Sequence, residues 1–269
     1  MIKEIIKKNQ LVSYFIIAYA VTWILVLPII TRTISENWHF LGAFGPSISA
    51  FIVLSLTEGK VGISSLKDKI IKYRVGFRWI LVSISPIFLL LVSLPIGYFI
   101  SGSWFDFRQF ILDKLFSPVS TFLWILPLIS YGIFEEMGWR GFALPRLQKN
   151  LNALTTTFIL SIFWFLWHFP MFFYRFNFSI GMVIGFYLGL LSGSILFTFI
   201  FNSTKGSVLM TIIWHVLWNL VSTLDMIVLA SIMSTIIMVT AVLILLRFGV
   251  KNPQSQAKFQ SKSQTFFHS

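Results

Sequence analysis

The sequence predicts an all-α polytopic membrane protein, with about eight transmembrane helices enclosing a polar cavity, and three observations predict it. Hydrophobic residues make up 57% of the 269 residues and charged ones 11%, and the mean hydropathy is +0.84. Apolar runs near the roughly 20 residues that a helix needs to cross a ~30 Å hydrocarbon core recur along most of the chain. A few ionisable side chains nevertheless fall inside those runs, where each is costly unless a polar interior receives it. A soluble domain does not have this composition.

The basic N-terminus (Lys3, Lys7, Lys8) precedes the first run, 11–30. That run is too long for a signal-peptide core and no small-residue cleavage site follows it, so it is read as the first transmembrane helix. The runs 40–56, 79–100, 119–139, 151–169, 180–201, 207–221 and 225–246 complete the eight, the shorter ones being tilted, extended or shielded by neighbours. Segment 57–78 carries Lys60, Lys67, Lys69, Lys72, Arg74 and Arg78, which suits an interfacial amphipathic helix on anionic lipid or a solvated linker. Segment 103–116 mixes Trp104, Phe105, Phe107, Phe110 and Leu115 with charges and suits a helix lying flat at the outer surface.

Proline stands within or beside several spans (Pro28, Pro46, Pro86, Pro95, Pro127, Pro145, Pro170), and each frees backbone groups that neighbours must satisfy. Gly185, Gly189, Ser192, Gly193 and Ser194 offer the sixth span a small-residue face for close helix contact. Residues 1–247 thus form one transmembrane domain, and 248–269, rich in Ser, Gln and Lys, read as a disordered cytoplasmic tail. No internal repeat is discernible, which weakens an inverted-repeat transporter reading.

The net charge is +12, yet the basic residues cluster between spans, which fits lipid headgroups and membrane topology and gives no nucleic-acid role. With the N-terminus inside, 17 of the 21 Lys and Arg residues fall on the cytoplasmic side; Arg32, Arg108, Lys114 and Arg175 fall outside. Both termini are therefore expected in the cytoplasm of a cell bounded by this plasma membrane. Cysteine is absent, which excludes disulfides and a thiol nucleophile, and the terminal Phe266-Phe267-His268-Ser269 carries no prenylation box. The oligomeric state is left open.

Of nine acidic residues only Glu135, Glu136 and Asp225 fall in candidate spans, and of four histidines only His168 and His215. Each has a bland reading. The Glu pair could be a solvated helix end with Arg140 pairing back one turn, His168 a core imidazole bonded to a carbonyl, His215 with Asn219 interhelical hydrogen-bond glue, and Asp225 a helix cap. Taken together, those readings bury several costly polar groups by coincidence, so a joint functional reading is preferred.

Geometry favours convergence. The midpoint of 135 and 168 is 151.5, on the Asn150-Leu151-Asn152 turn, and residues equidistant from the turn of a helical hairpin stand at one height. The fourth helix must then run on past Arg140, with a kink expected at Pro145. His215 and Asn219, at i and i+4, share one helix face.

Such a set suits hydrolysis. A carboxylate beside a neutral imidazole can deprotonate water, and a second imidazole with an amide donor can stabilise the resulting oxyanion. Alternatively Glu135, His168 and His215 could ligate a zinc-bound water. Zinc and a metal-independent mechanism are equally open at this point. No His-Glu-x-x-His motif, second buried aspartate or Gly-x-Ser-Gly with a histidine partner is found.

The run Glu135-Glu136-Met137-Gly138-Trp139-Arg140-Gly141 with Leu144-Pro145-Arg146-Leu147, then Trp164-Phe165-Leu166-Trp167-His168, then His215-Val216-Leu217-Trp218-Asn219, resembles the three motifs of the CPBP intramembrane proteases. That family joins type II CAAX prenyl endopeptidases with bacteriocin-processing and immunity (Abi) proteins. The resemblance covers about 119–221. It implies that Glu135 activates water with His168, Glu136 supports that site, Arg140 holds the carboxylates, and His215 with Asn219 forms the oxyanion hole. Trp164 departs from the pattern, which usually has Phe four residues before the histidine. Members are described both as metalloproteases and as metal-independent glutamate proteases.

The leading expectation is an intramembrane endopeptidase acting on a hydrophobic or lipidated peptide, with bacteriocin processing, self-immunity or CAAX-like maturation as its context. A proton-coupled transporter that relays protons through the Glu/His set is the second, and a non-catalytic immunity or scaffold protein the third.

Overall fold

Backbone polar groups in hydrocarbon must bond within their own segment, and the apolar runs accordingly form helices. The computed structural model describes residues 2–115, 117–176, 178–224 and 227–248, and among these there is no strand. A short helix α1 (Ile2–Lys8) leads into α2 (Gln10–Ile30) and α3 (Glu36–Thr57, opening with 3₁₀ turns). Next come α4 (Gly59–Ile70), α5 (Phe77–Ser83), α6 (Ser85–Ser101) and α7 (Phe107–Leu115). The site-bearing helices are α8 (Pro118–Leu147), α9 (Ala153–His168), α10 (Ile180–Ser203) and α11 (Val208–Ser222), and α12 (Ile227–Phe248) ends the bundle.

Among the described residues, six helices are long and apolar enough to cross a membrane, or seven if α5 and α6, bent by 52° at their junction, count as one span. Pro86 opens α6 and lacks the N–H that would carry the helix through that bend. The eighth segment expected from the sequence, 207–221, is the 15-residue α11. At 1.5 Å per residue it reaches about 22 Å, so eight full crossings is an approximate count. The cap expected at Asp225 and the tail 248–269 lie outside the described residues, save the helical Phe248.

The helices approach most closely where side chains vanish. A Cβ on Gly132 would stand 2.4 Å from Val216, and one on Gly138 would stand 2.5 Å from both Pro46 and the Tyr14 hydroxyl. Bare Cα atoms therefore let α8 lie directly on α11 at one point and on α2 and α3 at the next, with Glu135 and Glu136 between the two crossings. Gly132→Leu should force α8 off α11 and cost about 2–3 kcal/mol, as overpacking does. Detergent unfolding of the purified variant checks this.

Two expectations are corrected and one is refined. Segment 57–78 forms an amphipathic helix over part of its length, α4, whose apolar face rests on protein: Gly62 and Leu66 are buried, and Leu66 packs on Gly141. Lys69, on the same helix, donates to the Gly141 carbonyl at 3.4 Å, the acceptor that Pro145 cannot use for want of an N–H. Burial, and then the neighbouring Arg146 charge, hold the Lys69 ammonium below the usual lysine range.

The distortion of α8 falls before Pro145, in two π-helical turns at Tyr131–Glu135 and Trp139–Ala143 on either side of the single α turn Glu136–Gly138. Finally, the glycine face of α10 is only partly a packing face. A Cβ at Gly185 or Gly189 would meet nothing within 4 Å, and both glycines line the central cavity.

Candidate active site

Glu135 closes the first π turn and Glu136 opens the α turn that follows it, a distortion frequent at functional sites because it breaks the regular aim of side chains. Their relative exposures are 1% and 0%, so each carboxylate depends on donors within the protein. Successive residues point in different directions and find different partners. Glu135 Oε2 accepts from the Trp139 indole at 3.2 Å and from the Trp164 indole of α9. Glu136 Oε1 accepts from Arg140 Nη1 at 2.8 Å and lies 3.0 Å from His215 Nδ1 on α11.

Arg140 is fully buried. Its guanidinium sits 4.5 Å from the Trp164 ring centroid and 4.3 Å from that of Phe197, so aromatic faces take the place of water around the cation.

The hydrogen bonds of the two imidazoles assign their protons. A carbonyl can only accept, so His168 Nδ1, 2.8 Å from the Trp164 carbonyl, carries hydrogen and Nε2 is left for the cavity. By the same reasoning the carboxylate of Glu136 holds the proton of His215 on Nδ1. Asn219 spends one amide hydrogen on the Leu128 carbonyl at 3.1 Å and keeps the other.

Glu135, His168, His215 and Asn219 all line one cavity of about 470 Å³, while Glu136 and Arg140 stand behind its wall. The hairpin arithmetic puts Glu135 opposite His168; the residue that Glu135 meets across α8 and α9 is Trp164, one turn before His168, and His168 reaches the same cavity. Among the described residues, Glu135, His168 and His215 are not gathered as three ligands of a metal ion would be. Two indoles occupy one Glu135 oxygen, and His215 turns a nitrogen towards Glu136.

Sequence reasoning misses several groups of the site. The Trp164 indole on the cavity wall and the Trp139 indole behind it matter through their N–H groups, which hydropathy does not register. His39, Tyr131 and Arg175 also line the cavity: Arg175 Nη1 donates to His39 Nε2 at 2.8 Å, and the Tyr131 hydroxyl donates to the His39 carbonyl at 2.9 Å. His39 escaped notice because it precedes the apolar run that starts at residue 40, although α3 opens at Glu36.

Fold and site define a polytopic α-helical membrane protein with a buried acid and imidazole cluster facing an internal cavity. Residues 117–221 match the family described as type II CAAX prenyl endopeptidase Rce1-like, a likeness that agrees with the CPBP motifs which this segment resembles. The chain is 31% identical over 173 residues to CAAX prenyl protease 2 of Methanococcus maripaludis, an alignment covering 60% of this chain and 62% of that protein. The chain thus spans less than two thirds of the length of this curated relative.

Proposed function

We propose that the protein is an intramembrane endopeptidase in which Glu135 draws a proton from water and the hydroxide attacks a peptide carbonyl. The observation that carries this reading is the cavity itself. It brings one carboxylate, two imidazoles with unspent nitrogens and an amide donor to a common space inside an apolar bundle. In such a water-poor site fixed donors stabilise developing charge more than they would in bulk water.

His168, oriented by the Trp164 carbonyl, would take that proton from Glu135 on its open Nε2 through water in the cavity and pass it to the leaving amine. The oxyanion would be met by the remaining amide hydrogen of Asn219 and by His215 donating from Nε2, with its Nδ1 held by the Glu136 carboxylate. Glu136 in turn is held by Arg140.

The substrate class is a hydrophobic or lipidated peptide, taken up from the bilayer by a protein of the plasma membrane with both termini in the cytoplasm. CAAX-like maturation is suggested by the name of the Methanococcus relative, and bacteriocin processing or self-immunity remains part of the proposal. The purified full chain in detergent should cleave an internally quenched, farnesylated peptide ending in a Cys-aliphatic-aliphatic-X box, or its unprenylated hydrophobic counterpart. If neither is turned over above a Glu135→Gln control, and vesicles holding the protein instead show proton-driven uptake, the peptidase reading is wrong.

A further inference from the structure

We infer that Trp164 is a positioning residue for Glu135, selecting the carboxylate oxygen that takes up the proton, an inference that rests on the peptidase reading above. Trp164 is 4% exposed and Trp139 fully buried. Their indoles, from α9 and from α8, both donate to Oε2 of Glu135. An indole nitrogen can donate and cannot accept. An oxygen already facing two such donors is a poor place for a further hydrogen, because its O–H would have to point at a group with no lone pair to offer.

Oε1 has no hydrogen-bond partner among the described residues, and Glu135 lines the cavity. Protonation is thereby directed to Oε1, the oxygen free to take a proton from water in the cavity. Two donors to an anion also offset part of the cost of burying it, since charge-assisted bonds are about twice as strong as neutral ones.

Trp164 orders the second base as well. Its main-chain carbonyl accepts the His168 Nδ1 proton, while its ring covers Arg140. One residue thus fixes the carboxylate through its side chain and the imidazole through its backbone. A phenylalanine at this position keeps the ring and the carbonyl and deletes only the N–H, so the donor can be removed alone.

The experiment compares the full-length protein with Trp164→Phe, using the quenched farnesylated peptide as probe. Loss of one hydrogen bond to a charged group predicts a fall in kcat of roughly 10-fold to 100-fold, with KM within about twofold of the parent. The acid limb of the kcat profile should move to higher pH, because the ionised carboxylate has lost a donor. A purely structural role for Trp164 would lower the folded yield without moving that limb.

Infrared pH-difference spectra provide a second readout independent of turnover. The carboxyl band that disappears in Glu135→Gln identifies Glu135, and its titration midpoint should rise in Trp164→Phe. A folded Trp164→Phe protein with unchanged kcat, acid limb and infrared midpoint overturns the inference. Should Trp164→Phe not fold, Trp139→Phe removes the other donor and is judged on the same readouts. If Glu135→Gln retains turnover, the peptidase reading falls, while the infrared comparison still decides whether the indoles control this carboxyl group.

Discussion

Glu135→Ala is expected to lower kcat on the farnesylated peptide by about 10³-fold or more, with KM little changed. General-base removal alone accounts for about 10²-fold to 10⁴-fold, and the group lost makes no other contact with the cavity. His168→Ala and His215→Ala should each bring a loss of similar order, because the third lining imidazole, His39, has both nitrogens engaged by Arg175 and Tyr131 and cannot stand in. Folding should survive all three. After Glu135→Ala two indole hydrogens lose their acceptor, and after His215→Ala Glu136 keeps its bond to Arg140. Full activity in Glu135→Ala, measured on protein with parental helicity, would remove the mechanism.

Arg140→Ala should fail differently, by unfolding. Removing one partner of a buried ion pair typically costs about 3–5 kcal/mol, since the other charge is left without compensation. Here the abandoned group is Glu136, at 0% exposure. The double replacement Glu136→Leu with Arg140→Met should recover much of that stability, because apolar groups of similar volume can replace a buried pair at little or no cost. It should not recover activity, since His215 would have lost its carboxylate. Thermal unfolding in detergent beside peptide turnover separates the two effects, and a stable, folded Arg140→Ala protein would contradict the role given to the pair.

Much of the fold could be read from hydropathy, because a lipid environment leaves the backbone little choice other than the helix. The segments matched here differ from the expected ones by a few residues at most ends. What hydropathy cannot supply is depth. The 15 residues of α11 carry the same apolar signal as a full crossing, and the 52° bend between α5 and α6 is invisible in a window average.

The cluster of Glu135, Glu136, Arg140, His168, His215 and Asn219 was legible because charged and imidazole groups stand out against an apolar background. Trp164 was not, since an indole counts as apolar in any hydropathy scale and its N–H matters only once an acceptor is in place. The π turns had no signal either. They arise where Gly132 and Gly138 let α8 settle onto three other helices, a matter of tertiary contact more than local preference. The glycines of α10 misled for a related reason: spacing identifies a smooth face and says nothing of whether another helix or open space lies against it.

That smooth face limits how a peptide could be read there. Beside the acid and imidazoles the chamber is walled at Gly185 and Gly189 by naked main chain, which presents no functional group of its own to distinguish one residue from another. Selection along this side would operate by girth, admitting a chain or lipid of suitable thickness whatever its lettering, and a bulky replacement at Gly189 would act as a plug.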